Sequence, residues 1–440
     1  MFLKHTSTFE KYAAKSGVYI LNIVTQFTES SIQKSSFYPW LVVAMLCVVG
    51  LLNYLDRMMI TTMRSSIVSE IHMTDAQFGL LTSVFLWVYG LLSPLAGFIA
   101  DKFNKSRIII VSLLIWSGVT FLTAYATSFE YLLATRALMG ISEAFYIPTA
   151  LALIMDYHRG NTRSSANSVH IMGIMVGQSL GFIGGWLAEA HSWNFAFNIL
   201  GGIGMLYAVV LIFCLRDNKE PDQTETSVEK ADLGNKPKFF AVIRYLLTNK
   251  NYLKTLFTWS MIGIVGWVIG GWLPTFYKEK FSLSQTMAGV YATGYFHTAS
   301  IIGVLVGGFL ADRWSRTNKY ARILLPMIGL CIAAPAIFIA GYSSVLVVAV
   351  ACFMLYAFTR IFSDGNMMPI LCMVVDQKYR ATAYGVLNLF ATVIGGIGIY
   401  AGGYLRDINI DLGLLFRIAA FLLATGALSL YLLKRSVSRQ

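Results

Sequence analysis

The sequence predicts an all-α membrane protein: twelve transmembrane helices in two pseudo-symmetric six-helix bundles, with both termini cytoplasmic. Three observations predict it. Of 440 residues, 56% are hydrophobic and 13% charged, whereas a soluble domain carries about a quarter charged. Apolar runs of spanning length recur twelve times, six on either side of a long polar stretch. A charged motif behind the second run returns behind the eighth. This composition excludes a water-soluble enzyme, a disordered chain and a disulfide scaffold. The five cysteines (Cys47, Cys214, Cys331, Cys352, Cys372) all sit in apolar runs. Their odd count and irregular spacing indicate neither disulfides nor a metal site.

The first 36 residues read as a polar cytoplasmic extension. Its one apolar stretch, Val18–Val24, is far shorter than the ~20 residues a spanning helix needs. No compact basic region precedes it, so a cleavable signal peptide is not expected. The N-terminal bundle covers 37–215, with spans at 37–63, 77–100, 107–126, 129–156, 164–188 and 194–215. Several contain Gly or Pro, which membrane helices tolerate. A linker occupies 216–252; Asp217–Lys238 is almost wholly polar and Phe239–Leu247 reads as a surface helix. The C-terminal bundle covers 253–435, with spans at 253–277, 285–311, 321–342, 344–372, 381–405 and 411–433.

The net charge is +12. Of the 34 Lys and Arg, 26 fall on the side of the termini and the linker, and only Arg64, Lys278, Lys280 and Arg406 on the other. Positive residues gather on the cytoplasmic side, which sets the orientation. The charge is thus explained by topology and by contact with anionic membrane lipids. No nucleic-acid partner is needed.

The two halves share a pattern. Gly97-Phe-Ile-Ala-Asp101-Lys102 leads to Arg107, and Gly308-Phe-Leu-Ala-Asp312-Arg313 stands 211 residues later. Glu143-x4-Pro148 is echoed 221 residues on by Asp364-x4-Pro369, with Arg136 before the first and Arg360 before the second. The Gly-x-x-x-Asp-basic segment resembles the hallmark loop of the major facilitator superfamily, and its repetition with twelve spans extends the resemblance over about residues 37–435. The resemblance implies two bundles that rock about a midplane site. It also implies a gate in which Gly97 and Gly308 let helices approach and Asp101 and Asp312, with the basic Arg107 and Arg313, latch the halves. The plain alternative is a positive loop with one solvated acid.

Besides Arg417, six charges stand out well inside the spans. Asp56 and Arg57 lie in helix 1; Arg136 and Glu143 lie two turns apart on one face of helix 4; Arg360 and Asp364 lie one turn apart in helix 10. A charge at membrane depth costs about 2.5 kcal/mol or more, so it must face a cavity or find a partner. Mutual neutralisation would pair Asp56 with Arg57, Glu143 with Arg136 and Arg360 with Asp364. Adjacent residues point apart on a helix, so the first pair is poorly placed.

Asn53-Tyr54-Leu55-Asp56-Arg57 with Arg136-x6-Glu143-Ala144 resembles two branches of the superfamily. In the anion:cation symporter branch, which carries hexuronates, aldonates and sialic acid, the resemblance implies Tyr54 and Arg57 on a substrate carboxylate and Asp56 and Glu143 on protons. In the spinster-like branch, linked to lysolipids and sphingolipids, it implies Asp56, Arg136 and Glu143 in proton coupling. Helix 5 blurs the choice. Gly173-Ile174-Met175-Val176-Gly177 has Ile174 where sugar-acid carriers often have Gln, and the run to Gly181 looks more spinster-like. His170, one turn earlier, is a candidate replacement contact or a structural hydrogen-bonder. Arg136, Trp267 in helix 7 and Asn388 in helix 11 complete the candidate substrate contacts.

No phosphate loop, zinc-protease motif or nucleophile elbow is present. With these motifs missing, the resemblance implies a secondary carrier and not an enzyme. It would be monomeric, multi-pass and, in a bacterium, in the inner membrane. It would import a small anionic substrate, a sugar acid, by symport with protons as coupling ion and without cofactor or metal. The alternative is a spinster-like proton-coupled lysolipid transporter.

Overall fold

The structure is a computed structural model. It describes residues 37–158, 162–217, 239–376 and 379–439, apart from the side chains at 94, 97, 98, 100–102, 164, 239, 240 and 381. The expected N-terminal extension and most of the polar linker lie outside these residues. Phe37–Val42 group apart from a second unit, Val43–Gln440, which holds the rest of the chain.

Twelve of the described helices are long and apolar enough to cross a membrane. In the first half they are α1 Phe37–Thr62, α2 Asp75–Lys102, α3 Lys105–Thr123, α4 Phe129–Tyr157, α5 Ser165–Ala190 and α6 Trp193–Cys214. In the second they are α7 Lys250–Lys280, α8 Gln285–Ser315, α9 Ala321–Tyr342, α10 Leu346–Val374, α11 Arg380–Asp407 and α12 Leu412–Val437. The sequence boundaries agree to within a turn or so. The surface helix expected before α7 is present as Phe239–Thr248, with Val242 and Leu246 buried.

Local chemistry sets the helix starts. Thr74 and Gln77 form a reciprocal capping box on α2, and Asn104, Ser128, Ser192, Asn249 and Ser284 each accept a backbone N–H at a helix start. α4 breaks at Phe145. Pro148 has no N–H to return to the Ala144 carbonyl, which frees that turn. α10 is interrupted at Ile361, beside Arg360. α8 carries a π-helical turn at Val290–Tyr295.

Glycine brings α5 onto α1. A Cβ at Gly173 would strike Cys47, one at Gly177 would strike the Leu51 backbone, and one at Gly184 would strike Met59. The glycines that suggested a ligand motif are therefore packing residues, as in other membrane helix pairs where small residues let backbones meet.

The halves join at the end away from the linker. Arg406 Nε donates to Asp75 at 2.9 Å, and its two Nη groups grip Glu279 at 2.8 and 2.9 Å. Arg64 pairs with Asp75 and reaches Glu279 at 3.4 Å. Both arginines lie over the buried Trp272 ring, at 5.8 and 5.5 Å. Asp407 accepts the N–H groups of Asp75 and Ala76 at 2.8 and 3.0 Å, capping α2 from the opposite half. Below this network, Ser83 donates to the Gly396 carbonyl at 2.7 Å and Trp87 to that of Val393 at 3.1 Å. The contact of α2 with α11 thus runs down toward mid-height. Beyond it, Leu91, Leu95 and Tyr384 are exposed.

Candidate functional site

Two charged sites occupy the middle of the molecule. The first lies inside the N-terminal half. Asn53 and Arg57 of α1 share a face that meets α4. Arg57 Nε donates to Glu143 Oε2 at 2.6 Å. Gly140 lets α2 cross α4 closely, since a Cβ there would meet the Phe85 carbonyl at 2.8 Å. That crossing lays Phe85 and Tyr89 of α2 over the guanidinium, at 5.0 and 4.4 Å, and Tyr54 of α1 itself joins them at 4.5 Å. Asp56 points elsewhere and accepts from Thr120 at 3.3 Å. Arg136 lies over Phe197 at 5.4 Å, within Coulombic reach of Asp56 and Glu143. All four charged residues are at most 6% exposed.

Mutual neutralisation within α4 does not occur. Arg136, seven residues before Glu143, stays within Coulombic reach of it without an ion pair between them. The arginine that grips it comes from α1. Arg57 Nη2, Glu143 Oε1 and two nitrogens of Arg136 have no hydrogen-bond partner, so the cluster is charge-balanced but not saturated.

His170 is fully buried. Its Nε2 lies 2.8 Å from the Tyr146 hydroxyl, which donates to the Leu46 carbonyl at 2.7 Å. Since the hydroxyl has one proton, His170 supplies its own through Nε2. The imidazole ties α5 to α4 and α1 and does not reach the cavity.

The second site faces a cavity of about 340 Å³ between the halves. Tyr54, Met58, Ile174, Met175 and Gln178 line one side; Trp267, His297, Tyr356, Arg360 and Asp364 line the other. Of the residues singled out in the sequence, Tyr54, Trp267, Arg360 and Asp364 therefore line it. Asp56, Arg57, Arg136, Glu143, His170 and Asn388 do not; Asn388 is exposed on α11. Tyr54 belongs to both sites, since its ring covers Arg57 and borders the cavity. Sequence reasoning passed over Tyr356 and Gln178. Tyr356 precedes Arg360 by one turn on the same face, a spacing that marks it once Arg360 is known to face the cavity.

Of the two repeated loops, the second keeps its described contacts within its own half. Asp312 pairs with Arg322 of its own half at 2.7 Å. Gly308 has nothing within 4 Å of a Cβ, so no helix approaches there. The surroundings of Gly97 and the side chain of Asp101 lie outside what the structure describes. Arg107 and Arg313 are exposed. Beside the first motif, Lys105 bonds Asp156 at 2.6 Å and Ser106 bonds Asp217 at 2.6 and 2.7 Å, stapling α3 to the ends of α4 and α6.

Known proteins carry the same architecture. Spinster homolog 1 of Xenopus tropicalis is 26% identical over 384 residues, 83% of this chain and 72% of its own. The Bos taurus homolog is 28% identical over 382 residues, with the same coverage. A "probable sulfoacetate transporter" of Cupriavidus necator is 26% identical over 411 residues, 88% of this chain and 92% of its own. Among solved structures, a bacterial homolog to the human lysosomal transporter spinster, inward-facing and unoccupied, matches with a TM-score of 0.79 at 23% identity, over 92% of this chain and 98% of that one. A nucleoside transporter matches at 0.71 and 13% identity, over 89% and 99%. The profile of the Major Facilitator Superfamily matches residues 46–399. With twelve membrane-length helices in two joined halves and a family profile over most of its length, this multi-pass membrane protein belongs to the Major Facilitator Superfamily of transporters.

Proposed function

We propose that the protein is a proton-coupled carrier of small organic anions that works by alternating access. One observation carries the reading: the Arg57–Glu143 pair is sealed from water at 2.6 Å, and the Tyr54 ring that covers Arg57 also borders the cavity. A buried pair stripped of one charge leaves the other uncompensated. Protonating Glu143 therefore frees Arg57, and an arriving carboxylate or sulfonate restores the balance. Proton and anion each favour the other's binding, the reciprocity that coupling requires. Asp56, with Arg136, is the second candidate proton site. In this reading the termini and linker face the cytoplasm, and the joined end is the outer one.

The likeness to a sulfoacetate transporter favours an acidic substrate. The spinster likeness keeps a second reading in play, a lysolipid carrier, which the apolar wall of Met58, Ile174 and Met175 suits. Uptake into proteoliposomes of sulfoacetate, glucuronate, gluconate, sialic acid and a lysophospholipid decides between them. Accumulation of one of the acids, driven by an inward proton gradient and abolished by a protonophore, is expected. Uptake of the lysophospholipid alone would replace the anion reading, and gradient-independent uptake would remove proton coupling.

A further inference from the structure

Arg360 reaches the cavity with hydrogen-bonding capacity unused. Its Nη1 donates to Asp364 Oδ2 at 3.1 Å. That pair lies within one helix and its carboxylate side chain is 38% exposed, so it is a weak bond. Arg360 Nε is buried and has no partner. The facing residue on α7 is Gly266, where a Cβ would stand 3.7 Å from Nη2 and 4.0 Å from Nε. A glycine there puts no side chain of α7 against the Nε–Nη2 edge of the guanidinium. One turn earlier on α10, the Tyr356 hydroxyl is also buried without a partner. Buried donors without acceptors are costly, and folded proteins keep few. Two of them beside one cavity mark a place for an acceptor that arrives from outside.

We propose that Arg360 and Tyr356 form an oxyanion subsite in the C-terminal half, which takes the carboxylate or sulfonate of a small organic acid while the far end is joined. This rests on the anion-carrier reading and adds where the anion sits in this state. Asp364 is the resident counter-ion. It holds Nη1 when no ligand is present, and the ligand takes the free edge, the fork geometry in which arginine binds paired oxygens. Arg57 is not available in the same way, because a sealed carboxylate already holds its Nε. His297 stands within Coulombic reach of Arg360, and Trp267 forms the neighbouring wall. A cavity of about 340 Å³ lies at the low end of the ~300–1,000 Å³ typical of ligand pockets, which suits a small acid.

The test is calorimetric binding of sulfoacetate and of glucuronate to the purified full-length protein, with thermal melting of each variant as the check on folding. Arg360→Gln is expected to raise Kd about tenfold or more, the loss of a charge-assisted bond. Arg360→Lys should weaken binding too, because it keeps the charge and loses the fork. Asp364→Asn should tighten binding severalfold by removing the like charge beside the arriving anion. A merely structural pair predicts no such gain, so this variant and Arg360→Lys decide the matter should Arg360→Gln fail to fold. Folded Arg360 variants that bind within twofold of the parent, or an Asp364→Asn that binds more weakly, overturn the subsite while the carrier reading stands. A parent that binds neither acid removes both.

Discussion

The fourth and tenth helices carry the same elements, an arginine followed by an acid and a proline, and put them to different use. In α4 the acid is Glu143, and its partner Arg57 comes from α1, 86 residues away in sequence. In α10 the acid is Asp364, and its partner Arg360 is four residues away on the same helix. A partner from another helix closes over the pair and dries it. A partner from the same helix leaves the pair on the surface of that helix, here a cavity wall. The first arrangement makes each charge depend on the other, which suits a coupling element. The second leaves the arginine free to trade one anion for another, which suits recognition. Sequence repetition therefore preserves residue types without preserving solvation, and solvation decides the task.

The contrast predicts different costs of deletion. Arg57→Ala strands a sealed carboxylate and should cost about 3–5 kcal/mol of stability. Arg360→Ala breaks an open pair and should cost at most about 1 kcal/mol. Melting of both variants in detergent measures this, and equal losses would erase the distinction.

Transport should divide along the same line. Glu143→Gln mimics the protonated acid permanently, so counterflow exchange should persist while proton-driven accumulation vanishes. Asp364→Asn should keep accumulation. Both assays on the same preparations check it. Accumulation at parental levels per folded molecule in Glu143→Gln would leave Asp56 as the coupling acid.

A smaller effect is expected at the joined end. Arg406→Gln removes its bond across the halves to Asp75 and the two that hold Glu279 of its own half beside it. The outer end should open more often. A cysteine placed at the buried Thr61, in a background without other cysteines, should then react severalfold faster with an impermeant thiol reagent added outside. An unchanged rate would mean that packing of α2 on α11, not the ion pairs, holds that end.

The repeated loops should matter least to stability. Asp312 is paired but two-thirds exposed, so Asp312→Asn should shift melting by well under about 1 kcal/mol. Asp101→Asn is expected to keep substrate affinity and slow cycling. A collapse of affinity at unchanged cycling rate would take Asp101 out of the gate.

Sequence alone determined the spans, the repeat and the depth of the charges. Each is local: a run of apolar residues either covers the membrane core or does not, and a membrane helix satisfies its own backbone wherever it goes. Asp56, Arg57, Arg136, Glu143, Arg360 and Asp364 stood out because charge inside such a run is costly. The tertiary structure alone decided which of them meet. Nothing in α1 says that Arg57 turns to α4 and not to the cavity; the glycines of α5 and Gly140 of α4 set how closely the helices approach, and that spacing sets the reach of each side chain. His170, a candidate contact in the sequence, is instead held by the Tyr146 hydroxyl, which itself donates to the Leu46 carbonyl. The network of Arg64, Asp75, Glu279 and Arg406 was visible only as two basic residues on the less basic side. Its members come from four different helix ends, and only packing brings helix ends together. Periodicity records which face of a helix a residue occupies; what that face meets depends on the crossing of helices far apart in the chain.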